Sequence, residues 1–154
     1  MAPHEDIDAP SLKFVFSTEF DVRKPVILPN GPKGTRVMIP IVPGGTFQGG
    51  DGHEDFHGTI IAPSSDWATM YLDNEPGLYL DVQFVFKTHE GDIVLGKVEG
   101  RSERDPQNAA NAEIHSSISF ETGAEKHKWM NKKVFAGKGL KEGAHLKLNY
   151  YEIV

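Results

Sequence analysis

The sequence predicts an all-β domain closed into an antiparallel barrel of about eight to ten strands, with one or two short helical turns. Segments in which apolar and polar residues alternate recur along the whole chain, turn-forming residues separate them, and helical periodicity is scarce. The 154 residues suffice for one domain with a substantial core and are too few to suggest two. We therefore expect a flexible segment over residues 1–11 and a single barrel domain over 12–154.

The first strands are expected over 12–22 and 35–42. The Gly- and Pro-rich stretch 43–53 then reads as the one long irregular segment and a candidate pocket rim. Strands follow over 56–62 and 67–73. The clearest strand is 78–88, with Leu78, Leu80, Val82, Phe84 and Phe86 on one face and Tyr79, Asp81, Gln83, Val85 and Lys87 on the other. Turn residues at 74–77 and 89–92 bound it, so 67–73, 78–88 and 93–101 should form a meander. Strands over 114–122, 133–136 and 144–153 complete the series, and the last sets Leu146, Leu148 and Tyr150 against His145, Lys147, Asn149 and Tyr151. Helical turns are expected near 106–112 and 124–131. Such a series suits a sheet that curls and closes on itself, although alternation and turns alone fit a sandwich almost as well.

Composition removes several function classes. Without cysteine there is no disulfide, no thiolate nucleophile and no cysteine-ligated zinc or iron–sulfur cluster, so chemistry falls to His, Asp, Glu, Lys, Ser or Tyr. The acidic start lacks a secretory pattern, and no apolar run approaches membrane-spanning length, so a cytoplasmic protein without a membrane partner is expected. A formal net charge of -6 argues against nucleic acid, which needs a clustered basic surface. The one basic cluster, 126–133, reads as a solvated face.

Several side chains are candidates for chemistry. His53 and His57 stand in a literal His-Glu-x-x-His string, but that motif aims two imidazoles at zinc only from a helix, and Gly52 and Gly58 favour a loop entering a strand. A mobile second acid or base at the rim suits them better than a metal site. Asp81 interrupts a strand otherwise suited to burial. If its face looks into a polar lumen it is a candidate general acid or base; if outward, it is an ordinary surface carboxylate. Arg36 would orient or stabilise charge. Glu99 and Arg101 on the next strand would lie beside Asp81, and Gln83 shares its face. Trp67, Tyr71, Tyr79 and Phe47 supply aromatic lining. No cofactor motif is present: the 137–141 stretch lacks the spacing of a phosphate-cradling loop.

Arg36, the Ile39–Ile41 stretch, Gly44, Gly45, Thr46 and Phe47, Gly58, Pro63, the pair Asp66 and Trp67, Asp81 ahead of the turn at 88–91, the 120–122 and 129–131 segments, and 134–137 occur in an order that resembles domain-of-unknown-function family 3237. The resemblance covers roughly residues 12–153. It implies a closed barrel of small soluble proteins, homodimeric, and assigns no reaction. The family commonly has Arg two residues after the position of Asp81, where this chain has Gln83, and often Leu in place of Met130. Loss of that cation implies an Asp81 more easily protonated than in its relatives. The 48–57 loop with its two histidines looks peculiar to this chain.

Together these readings favour a small-molecule barrel enzyme without cofactor or metal, isomerising, cyclising or eliminating on a compact polyketide- or terpenoid-like substrate. Asp81 would be its acid or base, Arg36 would orient, Trp67 and Tyr79 would line the pocket, and His53 or His57 would assist. A non-catalytic ligand carrier is the alternative from another class. A metal-dependent activity through the two histidines is a third.

Overall fold

Alternation decides the architecture. In the computed structural model, which describes every residue except Asn74, the chain forms β1 (Leu12–Asp21), β2 (Val26–Gly31), β3 (Gly34–Pro40), β4 (Thr46–Gly49), β5 (His57–Met70), β6 (Gly77–Thr88), β7 (Ile93–Arg104), β8 (Asn111–Glu121), β9 (Phe135–Glu142) and β10 (His145–Ile153). A single 3₁₀ turn, Lys128–Lys132, lies between β8 and β9. Strands β1, β10, β9, β8, β7, β6, β5 and β4 pair in that order and β4 returns to β1, closing an antiparallel ring. The β2–β3 hairpin is added outside the ring: β3 pairs with the part of β5 that β4 does not reach, and a Val22–Ile41 bridge fastens it to β1. Among the described residues no helix is long and apolar enough to cross a membrane.

Most strands of the ring bury every second residue over much of their length. On β6 the apolar series Val82, Phe84 and Phe86 enters the core, while Tyr79, Asp81 and Gln83 face outward. Half of the barrel is filled by aromatic rings. Phe16 packs edge-on to Phe56 at 5.1 Å and to Phe120 at 5.6 Å, and stacks on Tyr150 at 4.8 Å. Gly96 makes this packing possible, because a Cβ there would come within 2.8 Å of the Phe86 ring. Met130 and Phe135, both fully buried, close this end beneath the 3₁₀ turn.

Several boundaries differ from the sequence expectation. The strands expected over 56–62 and 67–73 are one strand, β5, which passes through an irregularity between Ile61 and Ser65. Pro63, which cannot donate to a ladder, falls in that gap and gives the sequence its false break. Ser64 stitches the gap: its hydroxyl donates to the Ile61 carbonyl at 2.7 Å and accepts from the Val85 N–H at 2.9 Å. The stretch 43–53 contains β4, and Phe47 on it is 2% exposed, so it is core and not rim. No helical turn forms at 106–112, where β8 already begins at Asn111. The sequence reading did not include β2, an exposed edge strand that carries Pro29. The turn expected at 74–77 begins at Asn74, outside the described residues.

Candidate functional site

The other half of the barrel is lined by aliphatic side chains too small to fill it. At the end where β6 and β10 begin and β7 and β9 finish, a cavity of about 70 Å³ remains, walled by Phe20, Ile41, Leu80, Val98 and Leu148 among others. Its polar lining is confined to Asp66, Ser102, Lys141 and Tyr150. Apolar walls with a few polar groups are the usual make-up of a small-molecule site.

Asp66 belongs to the inward series Ser64, Asp66 and Ala68 of β5 and is 7% exposed. Its Oδ1 accepts the Asp81 backbone N–H at 3.0 Å. Burial pushes its carboxyl up to about 6; that hydrogen bond partly offsets the rise and the nearby Asp81 charge adds to it. Across the lumen, Tyr150 is fully buried, and burial holds its phenol in the protonated form. Its hydroxyl lies beside that of Thr18, and neither it nor the Ser116 hydroxyl forms a well-aligned hydrogen bond within the protein. Lys141 stands where the cavity opens, its ammonium donating to the carbonyls of Ala110 and Gly143. Burial and the charge of Arg104 lower its pKa.

The residues singled out from sequence divide into three places, none of them in the cavity lining. On the outer surface of β3, β5, β6 and β7, Arg36 donates to the Trp67 carbonyl at 3.1 Å and Trp67 is 53% exposed. Beside them the Arg101 guanidinium lies over the Tyr79 ring at 4.5 Å, Tyr71 meets Tyr79 edge-on at 4.6 Å, Asp81 pairs in register with Glu99, and Gln83 is exposed. Asp81 thus carries its carboxylate outward, on the alternative that makes it a surface group. Phe47 lies in the aromatic core, 4.6 Å from Phe56.

The third place is the closed end. There His53 stacks on Trp129 at 5.0 Å, and His57 stacks on His89 at 3.9 Å while its Nδ1 meets the Glu54 carbonyl at 2.9 Å. The His-Glu-x-x-His segment folds as turns, so its imidazoles go to different partners. Among the described residues no group of three or more His, Asp or Glu is placed to hold a metal ion.

Asp66 and Tyr150 line the cavity and are not among the candidates read from the sequence. The signals were there: Asp66 precedes Trp67 in the family-like motif, and Tyr150 shares the apolar face of Leu146 and Leu148.

A closed barrel with one plugged end and one apolar chamber holding a buried carboxyl defines a class of small β-barrel proteins with a lumenal pocket. The chain belongs to the family described as Protein of unknown function (DUF3237), matched over residues 10–153. The fold is shared with a β-barrel-like protein from Acinetobacter baumannii, at 19% identity and TM-score 0.81, over 98% of this chain and 100% of that one. It is shared too with a protein of unknown function from Clostridium acetobutylicum, at 20% identity and TM-score 0.82, over 97% and 100%. An enzyme from Penicillium herquei is similar at 20% identity and TM-score 0.68, over 99% and 100%. No curated protein matches the chain significantly.

Proposed function

We propose that the protein is a small-molecule-binding barrel enzyme that uses acid/base chemistry, without a cofactor, to isomerise, cyclise or eliminate on a compact organic substrate of the polyketide or terpenoid kind. The observation that carries this reading is Asp66, a carboxyl on the wall of an apolar cavity whose pKa of about 6 lets it hold or release a proton near neutral pH. The acid/base role expected of Asp81 moves to Asp66. Asp81 contributes a backbone N–H to it, and Arg36 remains on the outer surface. Ionised Asp66 takes a proton from the substrate and returns it at another atom, while the aliphatic walls keep water from competing. That one protein of similar fold is described as an enzyme accords with catalysis.

The test is a screen of compact enones, dienes and hydroxyalkenes for rearranged product, comparing wild type with Asp66→Asn. Turnover by wild type that falls at least about a hundredfold in the variant supports the assignment, since general acid–base groups contribute on that scale. Equal turnover in both overturns it. Retention of a compound in native mass spectrometry without turnover turns the reading to a carrier, and the same spectrum reads whether the chain is the homodimer that the family resemblance implies.

A further inference from the structure

Three buried hydroxyls form a belt across the inner wall. Tyr150 on β10 is flanked on one side by β1, where Thr18 faces inward opposite Leu148, and on the other by β9, where Gly137 lies opposite Tyr150 and, further round, opposite Ser116 of β8. Thr18 Oγ1, Ser116 Oγ and Tyr150 OH are all enclosed, the first beside the third, and none forms a well-aligned hydrogen bond. Protein interiors rarely leave such groups so, and Tyr150, the one that lines the cavity, marks a place for a polar atom that the chain does not itself supply. Gly137 is part of the arrangement: a Cβ there would come within 2.6 Å of both Ser116 Oγ and the Tyr150 ring, so its absence lets the ring lie close over the sheet.

Resting on the lumenal reading above, we propose that the cavity takes a neutral substrate bearing a carbonyl group, with the hydroxyl of Tyr150 donating to the carbonyl oxygen while Asp66 moves the proton on the neighbouring carbon. Tyr150 and Asp66 line the same cavity, so one compact molecule meets both. The chemistry of the lining selects the class. Hydroxyl donors need an acceptor, which an ammonium group lacks. A carboxylate or phosphate would meet ionised Asp66 with no free cation inside, since the only lining cation, Lys141, is engaged by carbonyls where the cavity opens. An enclosed volume of about 70 Å³ is less than half of the roughly 150 Å³ known to hold benzene. It therefore encloses about three heavy atoms, a carbonyl and its neighbouring carbon, leaving any larger remainder at the opening.

The step balances without an oxidant or reductant. The Asp66 carboxylate takes the proton from the carbon beside the carbonyl, the C–H electron pair becomes the enolate C=C, and the carbonyl π pair moves onto the oxygen held by Tyr150. Return of the proton, to the same carbon or to a conjugated one, regenerates the carbonyl and the carboxylate.

Three probes of matched size test this at pH 7.5: 2-butanone, its hydrocarbon isostere 2-methyl-1-butene, and butyrate, each titrated while the backbone amide NMR shifts of lumenal residues are followed. We expect the ketone to bind about three- to tenfold more tightly than the alkene, the yield of one hydrogen bond, with butyrate weakest. Tyr150→Phe should abolish the ketone preference. In D₂O the ketone's α-protons should exchange, with exchange lost in Asp66→Asn and slowed in Tyr150→Phe. Equal binding of ketone and alkene, or a preference unchanged in Tyr150→Phe, overturns the carbonyl proposal and leaves the lumen a ligand site. If no probe moves the lumenal amides, the chamber is packing space and the proposed function falls with it.

Discussion

The backbone N–H of Asp81 donates to Oδ1 of Asp66 across 3.0 Å, linking a residue whose side chain leaves the barrel to one whose side chain enters it. The two carboxyls interact through this short path, and the charge of Asp81 helps to raise the Asp66 pKa. Asp81→Asn keeps the backbone donor and removes only the charge. The Asp66 pKa should therefore fall below about 6 while staying above the ordinary carboxylate range, because burial is the largest cause. Carboxyl ¹³C titration reads both values. An unchanged Asp66 would mean that the Asp81 charge does not reach the lumen.

Asp66 also leaves a signature in stability. An acid whose pKa rises from 3.8 to about 6 on folding binds its proton more tightly in the native state, so stability declines as pH climbs between those values and is level above them. The window corresponds to a loss of about 3 kcal/mol. Asp66→Asn can still accept the Asp81 N–H and carries no charge. It should match wild type near pH 4 and exceed it near pH 8 by up to that amount in urea unfolding. Parallel profiles for the two proteins would show that the carboxyl is ordinary.

The barrel was legible because its signal is repetitive: Leu80, Val82, Phe84 and Phe86 alternate with polar residues, and nearly every strand of the ring does likewise. The face of Asp81 stayed open in the sequence, because the polar series of its strand could turn either to solvent or to a polar lumen; the four apolar side chains take the core, and the inward carboxyl is Asp66 on another strand. Asp66 was hidden by Pro63, whose ladder-breaking character split β5 in two and concealed the alternation of Ser64, Asp66 and Ala68. Tyr150 was hidden in another way: an aromatic ring on an apolar face reads as core, which it is, and only the absence of a well-aligned hydrogen bond at its hydroxyl reveals the second role.

Two histidines, His145 and His127, should separate in a proton NMR titration. His145 is held between two carboxylates, Nδ1 to Asp21 at 2.7 Å and Nε2 to Glu19 at 2.8 Å, which raise its pKa. Its contribution to stability is complete below pH 6.5 and fades as pH rises through the folded value. His127, packed against Phe56, is lowered chiefly by burial, so it opposes folding as pH drops below 6.5. His145 should titrate at a higher pH than free histidine and His127 at a lower one, and His145→Gln should abolish the alkaline loss. The reverse order would contradict both environments.

Phe86 joins the two halves of the barrel: its ring lies 5.0 Å from Phe47 toward the plugged end and 5.1 Å from Phe84, which lines the cavity. Phe86→Ala should cost about 3–5 kcal/mol and extend the chamber into the aromatic half. Gly96→Ala should cost about 1–3 kcal/mol by pressing on the same ring, a case of overpacking. Denaturant midpoints at constant slope measure both. A neutral Gly96→Ala would mean that the Phe86 ring yields freely.

The plugged end gives the sharpest contrast with the site. His53 and His57 are spent on stacking with Trp129 and His89, on the far side of Phe47, Phe56 and Phe86 from the cavity. A substrate in the lumen would have to cross that aromatic plug to reach either imidazole, and neither ring is aimed at a shared point where a metal or water could be activated. The double substitution of His53 and His57 by alanine should therefore leave turnover on any substrate found by the Asp66 screen within about twofold, where loss of an acid–base group would remove a hundredfold or more. Its cost should appear in stability and in the dynamics of the 50–57 loop, read by thermal unfolding and amide exchange. A large fall in kcat with unchanged stability would return the histidines to the chemistry and move the reacting centre to the other end of the barrel.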